Sequence, residues 1–498
     1  MNSERATTDT GLARWFVPSL GSLLGLTALL NSLLFRSGEW FAWDGDVGRH
    51  IRVGKTILDN GAIPRVDLFS HTRGGTHFVP YEWLSEVITA VVHSAAGLSG
   101  VVVLSALLYL TAVVGVYRAA DGLGARRMIA FIVAALALLM QSVHLLPRPH
   151  LFTTAFAAIF TVVLIRFAHS GRPWLLAPLP PLMLVWANSH GGFLIGFILL
   201  AAFLAGALLR SDEFSEPRRA LRPLSLVFVA CALLSFVNPA GAGLWAHTTG
   251  YLGIDFLVDA TQEYGSVDFH EGYGKLFFVV LFAGPALWMT GRVRVTMLAG
   301  GLYLLFAATA LHSARNIPLF TVCSLPWLAL WIDQALQGRG SPNTLLERLD
   351  AFGRLDRRLR PGAVSVVVAI LIWFALGPNR DTYTFDARVF PVEAVESVQP
   401  SGRIFNQLTW GGYLLYARPE IPVFIDGQTD FYGEELSRDY LAAVKGHAGW
   451  NEILDRYDVG WTLLESAEPL NQLLDLHPEW ERTYADGVAT VYRRAPAN

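Results

Sequence analysis

The chain has 498 residues, of which 53% are hydrophobic and 16% charged, with a mean hydropathy of +0.40. That composition is too apolar and too poor in charge for a soluble globule, and it reads as a polytopic membrane protein. The formal charge of -3 is spread over segregated clusters, so nucleic acid is not among the expected partners. Cys231 and Cys323 both lie in apolar runs and read as buried thiols, neither a disulfide nor a thiolate metal site.

Crossing a hydrocarbon core of about 30 Å takes about 20 apolar residues. Runs of that kind fall near 15–36, 99–118, 128–146, 150–168, 173–188, 190–210, 222–238, 274–291, 295–311, 317–336 and 362–377. The first is preceded by Arg5 and Arg14 and ends in Leu34-Phe35-Arg36, which marks a retained spanning helix and not a cleaved leader. The piece 83–97 is shorter and reads as a short crossing, a re-entrant helix or an interfacial one. The expected fold is therefore an all-α polytopic membrane protein with about 11 to 12 transmembrane helices.

Arginine clusters at 118–127, 166–172, 210–222, 292–294 and 348–360 follow alternate crossings. By the positive-inside rule they are cytoplasmic, in an inner membrane, with the N-terminus inside. Arg49, Arg52 and Lys55 in the first loop break the rule, and a phosphate is their natural partner. The segment 337–361 reads as a cytoplasmic linker with a basic amphipathic helix on anionic headgroups. From about residue 380 charges return. Arg403-Ile404-Phe405, Pro422–Ile425 and Val459–Leu464 read as strands, Leu436–Val444 and Trp450–Tyr457 as helices, and Asp486-Gly487 as a hairpin turn. The expected domains are 1–378, the membrane part with a first extracytoplasmic loop at 37–82, and 379–498, a small extracytoplasmic α/β domain.

The stretch Trp43-Asp44-Gly45-Asp46-Val47-Gly48-Arg49-His50 follows directly on the first run. Two carboxylates, a guanidinium and an imidazole are costly at a helix mouth unless they face water, each other or a substrate. A plainer role is open to Asp46, capping a helix that starts at Val47. Asp44 and Asp46 point to the same side of an extended segment. Such a pair holds a divalent cation through oxygen, or one member takes a hydroxyl proton while the other positions it; the spacing does not choose. No His-x-x-x-His or cysteine pattern marks a dedicated zinc site.

Polar groups gather at the far-side ends of the later runs: His50, Glu82, Arg148, His150, Asn188, His190, Glu263, Asp268, His270, His312, Arg315 and Asn316. The cytoplasmic ends hold mostly arginine and ordinary loop residues. This asymmetry points to a polar cavity open to one side. His93 and His144, inside apolar runs, read as hydrogen-bonded structural residues. Arg315 lies between His312 and Pro318 at a helix N-terminus, suited to a phosphate, with interfacial snorkelling as the alternative. Arg148-Pro149-His150 is built the same way.

The first loop from Asp44-Gly45-Asp46 to His50, then Gly54, Ile63-Pro64-Arg65-Val66-Asp67, Phe69-Ser70 and Glu82-Trp83-Leu84, resembles that of polytopic glycosyltransferases of the C superfamily, the GT-C fold. It is nearest the bacterial branch similar to protein O-mannosyltransferases and lipid A aminoarabinose transferases. Asn188 to Phe193, His312 to Pro318, Trp410-Gly411-Gly412-Tyr413 and Phe424-Ile425-Asp426-Gly427 also resemble blocks of that branch. Tyr81 departs from it, standing where many relatives have histidine, which weakens a metal role at this corner.

The resemblance implies an inverting transfer of a sugar from a polyprenyl-phosphate donor to an extracytoplasmic glycan, lipid or protein acceptor in the cell envelope. Asp44 would take the acceptor proton, with Asp46 orienting the acceptor or acting as base in its place. Arg315, Arg148 and His312 would meet the donor phosphate. His50, Glu82, His150, Asn188, His190, Glu263, His270 and Asn316 would line the substrates. The resemblance names no definite cofactor, and a divalent cation is compatible with it. Two other readings compete. A lipid-linked sugar transporter would show paired repeats and midplane binding groups, and the sequence has no internal repeat. A non-catalytic glycolipid-binding or assembly protein of the same fold remains open, since Asp44 and Asp46 permit catalysis without requiring it.

Overall fold

The computed structural model describes residues 18–35, 40–42, 44–251, 265–337, 344–359, 383–398 and 402–495, together with Val367 and Leu371. Trp43, Glu263 and nearly all of the run 362–377 lie outside these residues. The protein is mostly helical, an integral membrane fold with a small C-terminal sheet. Among the described residues six helices are long and apolar enough to cross a membrane: Trp83–Gly122, Arg127–His144, His150–Ser170, Gly191–Leu208, Gly272–Met289 and Ala314–Gln337. Leu20–Leu33, Pro173–Ala187 and Met297–His312 are shorter apolar helices, and the run 222–238 forms the helix Pro217–Ser235. Leu139, Leu226, Val279, Phe282 and Leu304 are exposed on the bundle's outer surface, as a lipid solvent requires. Inside, small residues let helices approach: a Cβ on Gly115 would stand 2.7 Å from Ala158 Cβ.

The ambiguous piece 83–97 is the first limb of the element Trp83–Gly122, broken at Ala96 and Gly97, where Gly97 takes φ 62 and ψ -157. That left-handed glycine reverses the chain so sharply that a Cβ on Gly100 would lie 2.7 Å from the Val92 carbonyl oxygen. The first limb is thus a short helix folded back on the crossing limb. At 1.5 Å per residue it reaches only about 20 Å, too little to span alone.

This limb and the C-terminal part grip the first-loop helix, Asp46–Asn60, from two sides. A Cβ on Gly54 would meet the Glu86 carbonyl oxygen at 2.1 Å, and one on Gly48 would meet the Gly412 carbonyl oxygen at 2.3 Å. Leu84 N–H and Ser85 Oγ donate to the carbonyls of Asn188 and Ser189, at 3.0 and 2.7 Å, tying the limb to the loop before Gly191–Leu208.

The C-terminal sheet has the order β1-β2-β4-β3, with β1 Arg403–Asn406, β2 Val459–Glu465, β3 Trp480–Ala485 and β4 Ala489–Arg494. β1 runs parallel to β2, and β3 and β4 form the expected hairpin through Asp486-Gly487. The helices Thr429–Val444 and Trp450–Arg456 cross between β1 and β2. Pro422–Ile425, expected as a strand, is not one. Its backbone is drawn to the first loop instead: Val423 N–H donates to Phe69 O at 3.0 Å and His71 N–H to Val423 O at 3.0 Å.

At the other end of the bundle, Arg126 pairs with Asp333 at 2.6 Å and Asp350 at 2.9 Å, and Arg127 with Asp356 at 2.7 Å and Asp121 at 3.1 Å. The helix Thr344–Arg358 therefore docks on the bundle through its acidic residues, while Arg348, Arg354, Phe352 and Leu355 stay exposed.

The glycine contact of the first-loop helix gives a test. Gly54→Ala should lower Tm by several degrees, about 1–3 kcal/mol of overpacking against rigid backbone. Gly243→Ala, in a helix with no close neighbour beyond Ala240 Cβ at 3.7 Å, should leave Tm unchanged or slightly higher. Thermal unfolding of the detergent-solubilised protein reads both.

Candidate active site at the mouth of the helix bundle

The first-loop helix begins at Asp46 itself, with Gly45 as N-cap and no side-chain cap bond. The capping expectation for Asp46 is therefore replaced by another arrangement: Asp46 N–H donates to Asp44 Oδ1 at 2.9 Å. Arg148, placed by the Leu145–Pro149 turn at the head of His150–Ser170, reaches the same point. Its Nε donates to Asp44 Oδ2 at 2.6 Å and its Nη2 to Asp44 Oδ1 at 2.7 Å, while Nη1 stands 3.1 Å from Asp46 Oδ2. This is a two-pronged guanidinium–carboxylate pair, the strongest form of such contacts.

Burial splits the two carboxylates. Asp44, 2% exposed, is pushed up by burial, but the Arg148 guanidinium and the Asp46 N–H outweigh this and hold it below the usual carboxylate range. Burial pushes Asp46 up to about 6; Arg148 opposes the shift, and the neighbouring charges of Asp44 and Asp426 add to it. Asp44 stays ionised and fixed, whereas Asp46 titrates near neutrality, where a proton acceptor is most useful. Of the two roles the spacing left open for the pair, proton transfer and cation binding, the three arginine nitrogens stand where a cation would.

A second cluster lies one turn along the same helix. Arg49 is buried, with Nε 3.4 Å from Asp426 Oδ2 and Nη1 3.5 Å from Glu86 Oε1, and it also hydrogen-bonds Gln428. It thus serves the fold of the first loop, and not the phosphate expected for it. His50 Nδ1 stands 3.2 Å from Glu86 Oε1 and 3.9 Å from Glu82 Oε2. Burial, with Glu86 and Asp430 adding to it, pushes Glu82 up to about 7 against the pull of His50. His190 Nε2 lies 3.7 Å from Glu82 Oε1. Its Nδ1 accepts from the Gly192 N–H at 2.9 Å and contacts Thr153 Oγ1 at 2.8 Å. The neutral ring therefore carries its proton on Nε2, directed at Glu82. Burial and then the charges of Arg315 and His50 hold His190 down to about 3. Arg315 and the first-loop cluster thus act on one imidazole, on one side of the bundle.

The other expected residues divide. Asn188 spends its amide on the protein, accepting from Trp83 Nε1 at 2.7 Å and donating to the carbonyls of Leu184 and Val237 at 2.8 and 2.9 Å. His150 turns Nε2 to the His144 carbonyl at 2.9 Å, with the two rings 4.3 Å apart. Asn316 Nδ2 donates to Thr309 O at 3.1 Å. His312 is exposed, and His270 faces solvent beside Asp268 at 3.1 Å, so neither joins the cluster. Glu86 and Asp426 carry charge here without having been assigned a role from sequence. The spacing of Glu86 four residues after Glu82 was the available sign; nothing in the sequence ties Asp426 to Arg49.

No protein-family model matches the sequence, and no curated protein matches it. Solved structures do match in shape. The oligosaccharyltransferase AglB from Archaeoglobus fulgidus, in complex with an inhibitory peptide and a dolichol-phosphate, gives a TM-score of 0.53 at 13% identity over 98% of this chain and 75% of that one. ArnT from Cupriavidus metallidurans bound to undecaprenyl phosphate gives 0.52 at 16% identity over 98% and 99%. The arabinofuranosyltransferase AftD from Mycobacteria gives 0.51 at 13% identity over 96% and 40%. At such identities the likeness is one of fold: the chain has the architecture of the GT-C membrane glycosyltransferases.

Two substitutions should move stability in opposite directions. Arg148→Ala leaves Asp44 buried and unpaired and should cost about 3–5 kcal/mol. Asp46 is raised in the fold, so its proton is bound more tightly in the folded chain, and stability drains as pH climbs from about 4 through about 6. Asp46→Asn should therefore raise Tm at pH 7, with the gain vanishing near pH 4, as read from Tm against pH for both proteins.

Proposed function

We propose that the chain transfers a sugar, with inversion, from a polyprenyl-phosphate carrier to an acceptor hydroxyl on the extracytoplasmic face of the inner membrane. The N-terminus is cytoplasmic in this reading and the C-terminal α/β part extracytoplasmic. The observation that carries it is a carboxylate poised at about 6, Asp46, set on a fixed Asp44–Arg148 pair, on the side of the bundle where the Arg315 charge is felt at His190. The fold shared with ArnT, solved with undecaprenyl phosphate, and with AglB, solved with dolichol-phosphate, supports a lipid phosphate as the donor's anchor.

Asp46 takes the proton of the acceptor hydroxyl as its oxygen bonds to the anomeric carbon. The bond from that carbon to the phosphate oxygen breaks, and the electron pair leaves with the polyprenyl phosphate. Arg315 offsets the charge that develops there, a form of stabilisation worth about 10²- to 10³-fold per donor. Arg148, engaged by Asp44, holds the carboxylates and is not the principal phosphate ligand. Lipid tails between helices explain why the chemistry lies at the mouth of a bundle.

In nanodiscs supplied with polyprenyl-phosphate sugars, Asp46→Asn should cut release of polyprenyl phosphate about 100-fold or more, with undecaprenyl phosphate binding within about twofold of wild type. Wild-type kcat should rise with pH through about 6, because the base must lose its proton, and Asp46→Asn should lack that limb. Full activity in Asp46→Asn would remove it as the base. Arg315→Ala should raise KM for the donor and spare the acceptor; equal effects on both would remove the phosphate role. Mass spectrometry of envelope glycans from a strain lacking the protein would identify the product.

A further inference from the structure

We infer that the junction of the first-loop helix, the folded-back limb and the helix Gly411–Ala417 binds the phosphodiester headgroup of an anionic phospholipid through Arg52, Lys55 and the His93–Tyr416 pair. Arg49, Arg52 and Lys55 break the positive-inside rule together, but the fold uses only the first, which Glu86 and Asp426 close. Arg52 and Lys55 have no ion pair among the described residues. Three apart on one helix, they are neighbours on its surface. A Cβ on Gly48, one turn before Arg52, would stand 2.8 Å from Tyr416 Cβ, and Gly54, next to Lys55, packs on Glu86 and Ala90 of the limb. Lys55 therefore falls between the two elements that grip the helix. His93 of the limb and Tyr416 join those elements, with Nε2 and the phenol oxygen 3.2 Å apart and the rings perpendicular at 5.5 Å. The Lys55 charge acts on the His93 ring.

Donors outnumber acceptors at this junction. Arg52 Nε and His93 Nδ1 are buried and have no hydrogen-bond partner among the described residues, a costly state for a polar group. The neutral His93 ring and Tyr416 hold two protons between them, one N–H and one O–H, and their mutual bond uses one. Whichever way that bond runs, the other proton is left without an acceptor. Arg52 spends Nη2 on the Pro419 carbonyl at 3.3 Å. Glu420, which feels the Arg52 charge, is exposed and already paired with Arg418 at 2.6 Å. The oxygens of one phosphate accept from a guanidinium, an ammonium and the spare proton of the His93–Tyr416 pair together.

The surroundings favour a lipid as the source of that phosphate. Leu58, three residues after Lys55, and Val91, two before His93, are 46% and 50% exposed. Bare apolar side chains beside unpaired cations match the boundary between headgroups and acyl chains. Two cations without a carboxylate select a net-negative headgroup over a zwitterionic one, whose own ammonium they repel. The site shares no residue with the proposed transfer machinery and does not rest on that reading.

The test uses the full chain, delipidated in detergent and titrated with phosphatidylglycerol or phosphatidylcholine, with bound lipid counted by native mass spectrometry and Tm read in parallel. Phosphatidylglycerol should bind saturably and raise Tm, and phosphatidylcholine should bind about 10-fold or more weaker. Lys55→Gln removes no contact that the fold uses and should keep the wild-type Tm in detergent alone. Together with Arg52→Gln it should weaken phosphatidylglycerol binding about 10-fold or more and abolish the rise in Tm. Arg348→Gln, an exposed cation at the other end of the bundle, should change neither. Equal affinity for the two lipids, unchanged phosphatidylglycerol binding in Lys55→Gln and in the double variant, or a larger loss in Arg348→Gln than in Lys55→Gln would each overturn the proposal. Displacement of phosphatidylglycerol by an equal concentration of inorganic phosphate would overturn the lipid as the ligand and leave a site for free phosphate.

Discussion

The molecule depends most on a buried ion pair, Arg148 with Asp44, closed by two short hydrogen bonds at the mouth of the helices. Desolvating two ions costs several kcal/mol each, and their attraction repays this only when the geometry is close to ideal. Stability alone is a poor reason to keep such a pair, because apolar residues of the same volume would do as well. What apolar residues cannot do is set the field around Asp46. Arg148 satisfies Asp44 fully and Asp46 only through one remaining nitrogen, so identical side chains two residues apart end with opposite proton affinities.

The pair in turn needs the first-loop helix held to within fractions of an ångström. Glycines do this, since Gly48 and Gly54 bring backbone onto backbone on two faces of one helix, and Gly427 brings backbone against the Asp46 carboxylate. The C-terminal part therefore completes the site's wall. Val423 abandons the sheet for the first loop, and Asp426, three residues on, becomes the counter-ion of Arg49.

Much of this was legible in the sequence, because apolar runs of bilayer length and period-two strands are local patterns. The hairpin at Asp486-Gly487 and the helices after each run follow from them. Pro422–Ile425 was misread because its apolar pattern is that of a strand, while its partner is a loop more than 300 residues away in the chain. The one-sided gathering of Glu82, Arg148, His190 and Arg315 was readable from helix ends. The partner of each was not: Arg148 looked like a phosphate ligand until Asp44 was seen beneath it, and Asn188 looked like a substrate contact until both amide protons and its oxygen were seen bonded to the protein.

The two ends of the bundle show what distinguishes a brace from a site. Where Arg126 and Arg127 meet Asp333, Asp350 and Asp356, opposite charges close to between 2.6 and 2.9 Å and nothing further fits between them. At the other end Arg148 and Asp44 close in the same way, but Glu82 stands 3.7 and 3.9 Å from the imidazole nitrogens of His190 and His50. A carboxylate held just out of hydrogen-bonding reach in a low-dielectric corner is unfavourable as it stands. The backbone contacts at Gly54 prevent the corner from collapsing to relieve it.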